Sequence, residues 1–203
     1  MSTTTITPFI EYPKMARLAR EIIVTEKIDG TNACVYVGDD GTIMAGSRSR
    51  WITPDDDNFG FAAWVHDNRE TLLQLGPGRH FGEWWGSGIQ RGYGLKNGEK
   101  RFSLFNVQRW CEHGQTPREI ATPDPRVFTA QEVLPPGIGL VPVLMRVTFD
   151  TTAIDCCLNE LSMCGSRAAP GYMNPEGIVV WHTAGNVGFK RTLHGDTPKG
   201  VKR

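Results

Sequence analysis

The stretch from Glu21 to Arg50 limits the possible folds more than any other part of the chain. It reads EIIVTEK, a break at Asp29-Gly30, NACVYV, and then Asp40-Gly41 before TIMAGSRSR. Short runs rich in β-branched residues and bounded by Gly and Asp read as strands, and Asp-Gly between two of them is the strongest short-range hairpin signal. A chain that opens this way is neither a helical bundle nor a coiled coil. In the third run Arg48 and Arg50 stand two apart, so a continuing strand turns both to one face.

The rest of the chain continues the pattern. After Asp57-Asn58, the stretch FGFAAWVHDNRETLLQL carries Phe61, Trp64, Val65, Leu72 and Leu75 at helical spacing, and Gly76-Pro77-Gly78 ends it. HFGEWWG, RFSLFNVQRW and GLVPVLMRVTF read as strands, with TPDPR and LPPG as loops between the last two. TTAIDCCLNELSMCGSRA, residues 151–168, predicts a short helix closed by Gly165. EGIVVWH and NVGFKR follow as strands around a Thr183-Ala184-Gly185 turn, and TLHGDTPKGVKR reads as a loosely held basic tail. The expected class is α+β, with mainly antiparallel sheets and few flanking helices.

Composition narrows the function classes. The chain has 203 residues, with 22 Lys+Arg against 22 Asp+Glu, whereas proteins that simply coat nucleic acid are usually basic. There is no apolar run long enough for a membrane helix, and the start MSTTTITPFIEYPK has no signal-peptide pattern. Cys34, Cys111, Cys156, Cys157 and Cys164 form no CxxC and are odd in number, so reduced thiols in a cytoplasmic protein are expected.

Four strings carry charge into apolar, glycine-flanked runs: TEKIDGTN, FGEWWG, PEGIVV and VGFKR. Burying an unpaired Lys or Glu costs several kcal/mol, and glycine lets backbone approach a ligand closely. Two lysines and two carboxylates in such settings point to one polar pocket.

These strings resemble the motifs of the covalent nucleotidyltransferases, the superfamily of nucleic-acid ligases and messenger-RNA capping enzymes. KIDG with Lys27 resembles motif I, GEWWG (82–86) motif III, LFNV (104–107) motif IIIa, EGIVV (176–180) motif IV and FKR (189–191) motif V. Arg48 stands where the superfamily places its motif Ia arginine, with Arg50 as the competing choice. The longer string EKIDGTN is similar to the ATP-dependent RNA ligases of phage and RNA-editing type, whose motif I commonly reads EKxxGTN. The resemblance runs from about residue 21 to 192. It implies a nucleotidyltransferase domain over 1–192 and a basic tail over 193–203. An OB-fold or other C-terminal domain is not expected.

The resemblance also implies roles. Lys27 attacks the α-phosphate of ATP and carries AMP as a phosphoramide. It must do so as a neutral amine, although a free lysine ionises near 10.4, and nearby cationic charge from a divalent metal or Lys190 favours the neutral form. A carboxylate beside a triphosphate needs a cation between them, which makes Glu176 the candidate ligand for Mg2+ or Mn2+. Glu83 accepts a hydrogen bond from a ribose hydroxyl, Lys190 contacts the α-phosphate, and Arg48 or Arg50 binds ribose or phosphate. Phe105 stacks on adenine or packs in the core. Glu26 reads the base. Asn32 organises the phosphate to be sealed or caps a turn.

Two departures stand out. Motif V usually reads Lys-x-Lys, and position 188 is Gly, so that contact is missing or comes from Arg191 or Lys199. Motif IIIa often ends Phe-Asp, where this chain has Phe105-Asn106. The expected activity is joining of 5′-phosphate and 3′-hydroxyl RNA ends by a monomer. A minimal DNA ligase, a GTP-using capping-type enzyme and a nucleotide-binding module without turnover are the alternatives. Thr31-Asn32 favours the RNA ligase over the first two, and the intact Lys27, Glu83, Glu176 and Lys190 disfavour the last. Arg91, Lys96, Lys100 and Arg101 around Tyr93 are candidate RNA contacts, or a solvated hairpin tip.

Overall fold

The computed structural model describes residues 8–110, 134–135 and 137–195. In chain order the strands and helices are β1 (Glu21–Lys27), β2 (Thr31–Val37), β3 (Ile43–Gly46), β4 (Trp51–Ile52), α1 (Phe61–Asp67), α2 (Arg69–Leu73), β5 (Gly78–Gly86), β6 (Lys100–Leu104), α3 (Val107–Trp110), β7 (Ile138–Leu140), β8 (Val143–Thr148), α4 (Thr151–Cys164), β9 (Gly177–His182) and β10 (Val187–Thr192). They form two sheets, one ordered β10-β9-β1-β8 and the other β4-β3-β2-β5-β6-β7. All pairings are antiparallel except β6 with β7, so the expected α+β class with mainly antiparallel strands holds.

Three apolar clusters stack these layers. Ala33, Val35, Trp84 and Phe102 of the six-stranded sheet meet Phe61, Val65 and Leu72 of α1 and α2. Ile22, Val24, Ile178 and Val180 of the four-stranded sheet meet Ile154, Cys157 and Leu161 of α4. Between the sheets lie Ile23, Ile28, Trp85, Tyr93, Val141 and Val143. β1 is therefore covered on both faces, and Ile22, Ile23 and Val24 have no exposed surface. Burying each of these side chains is worth about 1.5–3 kcal/mol.

Several elements depart from the sequence expectations for local reasons. The helix expected after Asp57 is two short ones that meet at Asn68, whose backbone leaves helical geometry at φ −106° and ψ 19° while its side chain also donates to the Trp64 carbonyl at 2.8 Å. GLVPVLMRVTF is split between β7 and β8, in different sheets, with Pro142 at the break, where it has no N–H to give a ladder. RFSLFNVQRW leaves the strand at Leu104 and turns into α3. α4 stops at Cys164; Gly165 closes it at φ 81°, and residues 166–168 lie outside it.

The TPDPR loop, Cys111 and Lys199 lie outside the described residues, as does most of the basic tail. Cys34, Cys156, Cys157 and Cys164 are free thiols. Among the described residues no helix is long and apolar enough to cross a membrane.

Candidate active site

Lys27 ends β1, and the turn after it is seated on the other sheet. A Cβ at Gly30 would lie 2.4 Å from the Trp84 carbonyl oxygen and 2.7 Å from the Trp85 Cβ. Only glycine lets this turn rest against β5, and the seat brings the two sheets' charged groups together. Glu83 of β5 accepts the Gly30 N–H at 3.0 Å and the Asn32 side-chain amide at 3.4 Å. Lys27 Nζ donates to Glu176 Oε2 at 2.5 Å, both side chains being about four-fifths buried at 24% and 18% exposure. Three of the expected groups thus converge from three distant segments.

Glu83 is 7% exposed. Burial pushes its carboxyl up to about 7; the Gly30 N–H and the Lys27 charge pull it down, and the negative charges of Glu176 and Asp29 push it up further. Two carboxylates flanking one amine leave the site short of positive charge.

A second set of contacts, which the sequence reading missed, fixes the geometry. Arg91 donates through Nε to Asp29 at 2.9 Å. Its Nη1 donates to the Asn174 carbonyl and side-chain oxygens, both at 3.0 Å, and to the Pro175 carbonyl at 3.2 Å. One guanidinium thus ties the turn after Lys27 to the turn before Glu176. Tyr93 is 2% exposed, and its hydroxyl accepts the Asp29 N–H at 2.9 Å and donates to the Lys27 carbonyl at 3.5 Å. Burial raises its phenol above the ordinary range and keeps it a neutral donor. Arg91 and Tyr93 are therefore internal supports, not RNA contacts on a hairpin tip. The available signal was Gly92-Tyr93-Gly94, a large ring between two glycines, which marks a sharp bend that turns the ring inward.

The other candidates divide. Glu26 faces away from Lys27, as neighbours on a strand must. It is 1% exposed and accepts from Ser166 Oγ at 2.6 Å and from the backbone N–H groups of Arg167 and Ala168 at 2.7 and 2.9 Å. Burial raises its carboxyl while those donors lower it. Its side chain anchors β1 to the loop after α4. Asn32 caps no turn; its amide reaches Glu83. Phe105 is no core residue: it follows β6, donates its N–H to the Phe81 carbonyl at 2.9 Å and is 39% exposed.

Lys190 pairs with Val179, which pairs with Thr25, and Thr192 pairs with Gly177, which pairs with Lys27. Lys190 and Lys27 therefore share a sheet face, and Lys190 is exposed. Arg191 turns to the opposite face and pairs with Asp155 of α4, so it does not replace a phosphate-binding lysine. Gly188 also lies on the Lys190 face, but its Cβ position is 3.2 Å from the Trp181 ring.

Arg48 and Arg50 lie in the turn after β3 rather than in a strand, so strand alternation does not align them. Arg50 is paired with Asp56, while Arg48 has no partner among the described residues. Lys100 donates to the Phe59 carbonyl at 2.9 Å and Arg101 to Glu99 at 2.6 Å, leaving Lys96 exposed and unpartnered among the described residues.

A family model for RNA ligase matches residues 20–193, which include every motif above. The chain belongs to the RNA ligase family. Solved structures of Naegleria gruberi RNA ligase variants share its fold. One determined with ATP and Mn matches at TM-score 0.55 and 22% identity, covering 87% of this chain and 50% of that one. One with AMP and Mn matches at 0.53 and 22%, covering 87% and 51%. An apo variant matches at 0.57 and 22%, covering 93% and 57%. This RNA ligase family chain spans about half the length of those proteins. Among curated proteins, none matches it significantly.

Two predictions follow from this geometry. Glu83 binds its proton more tightly in the folded chain, near pH 7, than at its ordinary 4.5. Its contribution to stability therefore falls as pH rises through that window. Glu83→Gln cannot ionise, so its Tm declines less than wild type's between pH 5 and 8, by a few degrees in thermal melts; parallel declines would refute the buried titration. Arg91→Ala loses charge-assisted hydrogen bonds and leaves Asp29 unpaired, costing on the order of 2 kcal/mol. Arg91→Lys, which lacks the fork, recovers less than half of the lost Tm, and equal melting of all three proteins contradicts the latch.

Proposed function

We propose that the chain is an ATP-dependent RNA ligase acting through a lysyl-AMP intermediate, as a cytoplasmic monomer. One observation carries this reading. Lys27, on a turn that only glycine can seat, lies in contact with Glu176 and within the field of Glu83, with Lys190 on the same sheet face.

In the first step Lys27 Nζ attacks the α-phosphorus of ATP. The bond from that phosphorus to the bridging oxygen breaks, pyrophosphate leaves, and a nitrogen–phosphorus bond forms. In the second, the 5′-phosphate of an RNA end displaces the lysine nitrogen and takes AMP. In the third, a 3′-hydroxyl attacks that 5′-phosphate, loses its proton, and releases AMP as the phosphodiester forms.

The residues divide the work by position. Glu83 accepts from a ribose hydroxyl through the lone pairs that Gly30 and Asn32 leave free. Phe105 offers an exposed ring to the adenine, and Arg48 offers the unpaired guanidinium that Arg50 cannot. Lys190 stabilises the charge that builds on the α-phosphate. Asn32, beside Glu83, organises the RNA phosphate of the later steps.

Among the described residues no cluster of three or more His, Cys, Asp and Glu could hold a metal ion. Glu176 with nucleotide phosphates is nevertheless a donor set that suits Mg2+ or Mn2+, which commonly take one or two carboxylates plus phosphate oxygens. A divalent cation bound there would screen the carboxylate from the triphosphate and take the oxygen that now holds Lys27. Lys27 itself needs a free lone pair, so its ion pair with Glu176 must open before it attacks.

Incubation with α-labelled ATP and Mg2+ or Mn2+ tests the reading. Label that survives denaturation is expected from ATP and not from GTP, and Lys27→Ala abolishes it. Label from GTP alone would transfer the chain to capping-type chemistry, and no label at all would reduce it to a nucleotide-binding module.

A further inference from the structure

The six-stranded sheet packs its helices on one face only. On the other face, past Glu83, the strands carry large rings into solvent. Trp51 of β4 pairs with Gly46 of β3, Gly46 with Cys34 of β2, and Cys34 with Phe81 of β5. The Phe105 N–H bonds to the Phe81 carbonyl and extends the line to the end of β6. Trp51 is 44% exposed and Phe81 53%.

This face is built to hold a ring flat. A Cβ at Gly46 would lie 3.2 Å from two carbons of the Trp51 indole, so the ring rests against the glycine, with Arg79 over it and part of its edge and surface exposed. Tyr36 stands beside it, ring centroids 6.0 Å apart. The exposed Arg79 guanidinium sits 5.4 Å from the Tyr36 centroid and 5.8 Å from that of Trp51. Arg48, unpaired among the described residues, lies in the turn that enters β4. Of the acidic run 55–57 beside β4, Asp56 is held by Arg50 and Asp57 accepts the Ala62 and Ala63 N–H groups of α1. Asp55 is left as the exposed charge of that run.

Open aromatic rings interleaved with arginines fit bases and phosphates together. The line begins beside Phe105 and two residues along β5 from Glu83, so it continues the cleft outward. Trp51 and Phe81 stand three strands apart, roughly 14 Å at strand spacing. That exceeds the separation of stacked bases, so the rings suit unpaired, splayed nucleotides rather than a duplex.

The geometry points to an extended site for unpaired ribonucleotides. Bases stack on Trp51 and Phe81, phosphates meet Arg79, and the RNA strand whose end enters the cleft runs along this face. The assignment of that strand to the reaction rests on the ligase reading above; the binding itself does not.

Fluorescence anisotropy with a labelled single-stranded oligoribonucleotide bearing a 5′-phosphate, at fixed low salt, tests the site. Trp51→Ala is expected to weaken binding about 5- to 100-fold, as loss of one base stack does, and Trp51→Phe to retain most of it. Arg79→Ala should weaken binding and flatten its salt dependence, which keeps the test decisive if Trp51→Ala fails to fold. All three variants should take label from α-labelled ATP at the wild-type level. Wild-type RNA affinity in folded Trp51→Ala or in Arg79→Ala, or tighter binding of a blunt RNA duplex than of the single strand, would overturn the site. If wild type takes no label while Trp51→Ala or Arg79→Ala still weakens RNA binding, the ligase reading fails and the site stands.

Discussion

A side chain at position 30 would overlap the Trp84 carbonyl oxygen, and the two sheets meet where that side chain is missing. The rest of the site follows from this contact. It puts the Gly30 N–H on Glu83 and so brings that carboxyl to Lys27, which the pairing of Lys27 with Gly177 already sets beside Glu176. Without the seat, Glu83 on one sheet and the Lys27–Glu176 pair on the other belong to separate surfaces. Arg91 and Tyr93 then hold the same turn from behind, through Asp29 and the Lys27 carbonyl.

In the cleft the charged groups face one another. Lys27 is paired with Glu176, and burial pushes the Glu83 carboxyl up to about 7. A protonated lysine in an ion pair is no nucleophile, so binding of nucleotide and cation must rearrange this pair. Lys190 stands apart from it, exposed and without a partner among the described residues, which leaves its charge available to a phosphate.

Much of this was legible in the sequence because it depends on local rules. The Asp40-Gly41 hairpin, most strand segments and the charged residues beside glycine all declared themselves, and Lys27, Glu83 and Glu176 do converge. What failed did so for identifiable reasons. Glu26 cannot share the Lys27 face because strand neighbours point in opposite directions; the motif string concealed that alternation. Arg48 and Arg50 looked aligned only while β3 was read past Gly46. Arg91 reaches partners 62 to 84 residues away, which no local pattern reveals. The exposure of Phe81 and Trp51 was equally hidden, since a strand aromatic reads as core until the covering layer is known.

The central claim is that Lys27 captures a nucleoside monophosphate covalently. Peptide mapping by tandem mass spectrometry, after incubation with ATP and Mn2+ at neutral pH, tests it most directly. A single acid-labile AMP adduct on the Lys27 peptide is the predicted result. An adduct on Lys190 or another lysine, or an unmodified chain under conditions where ATP is bound, would contradict it.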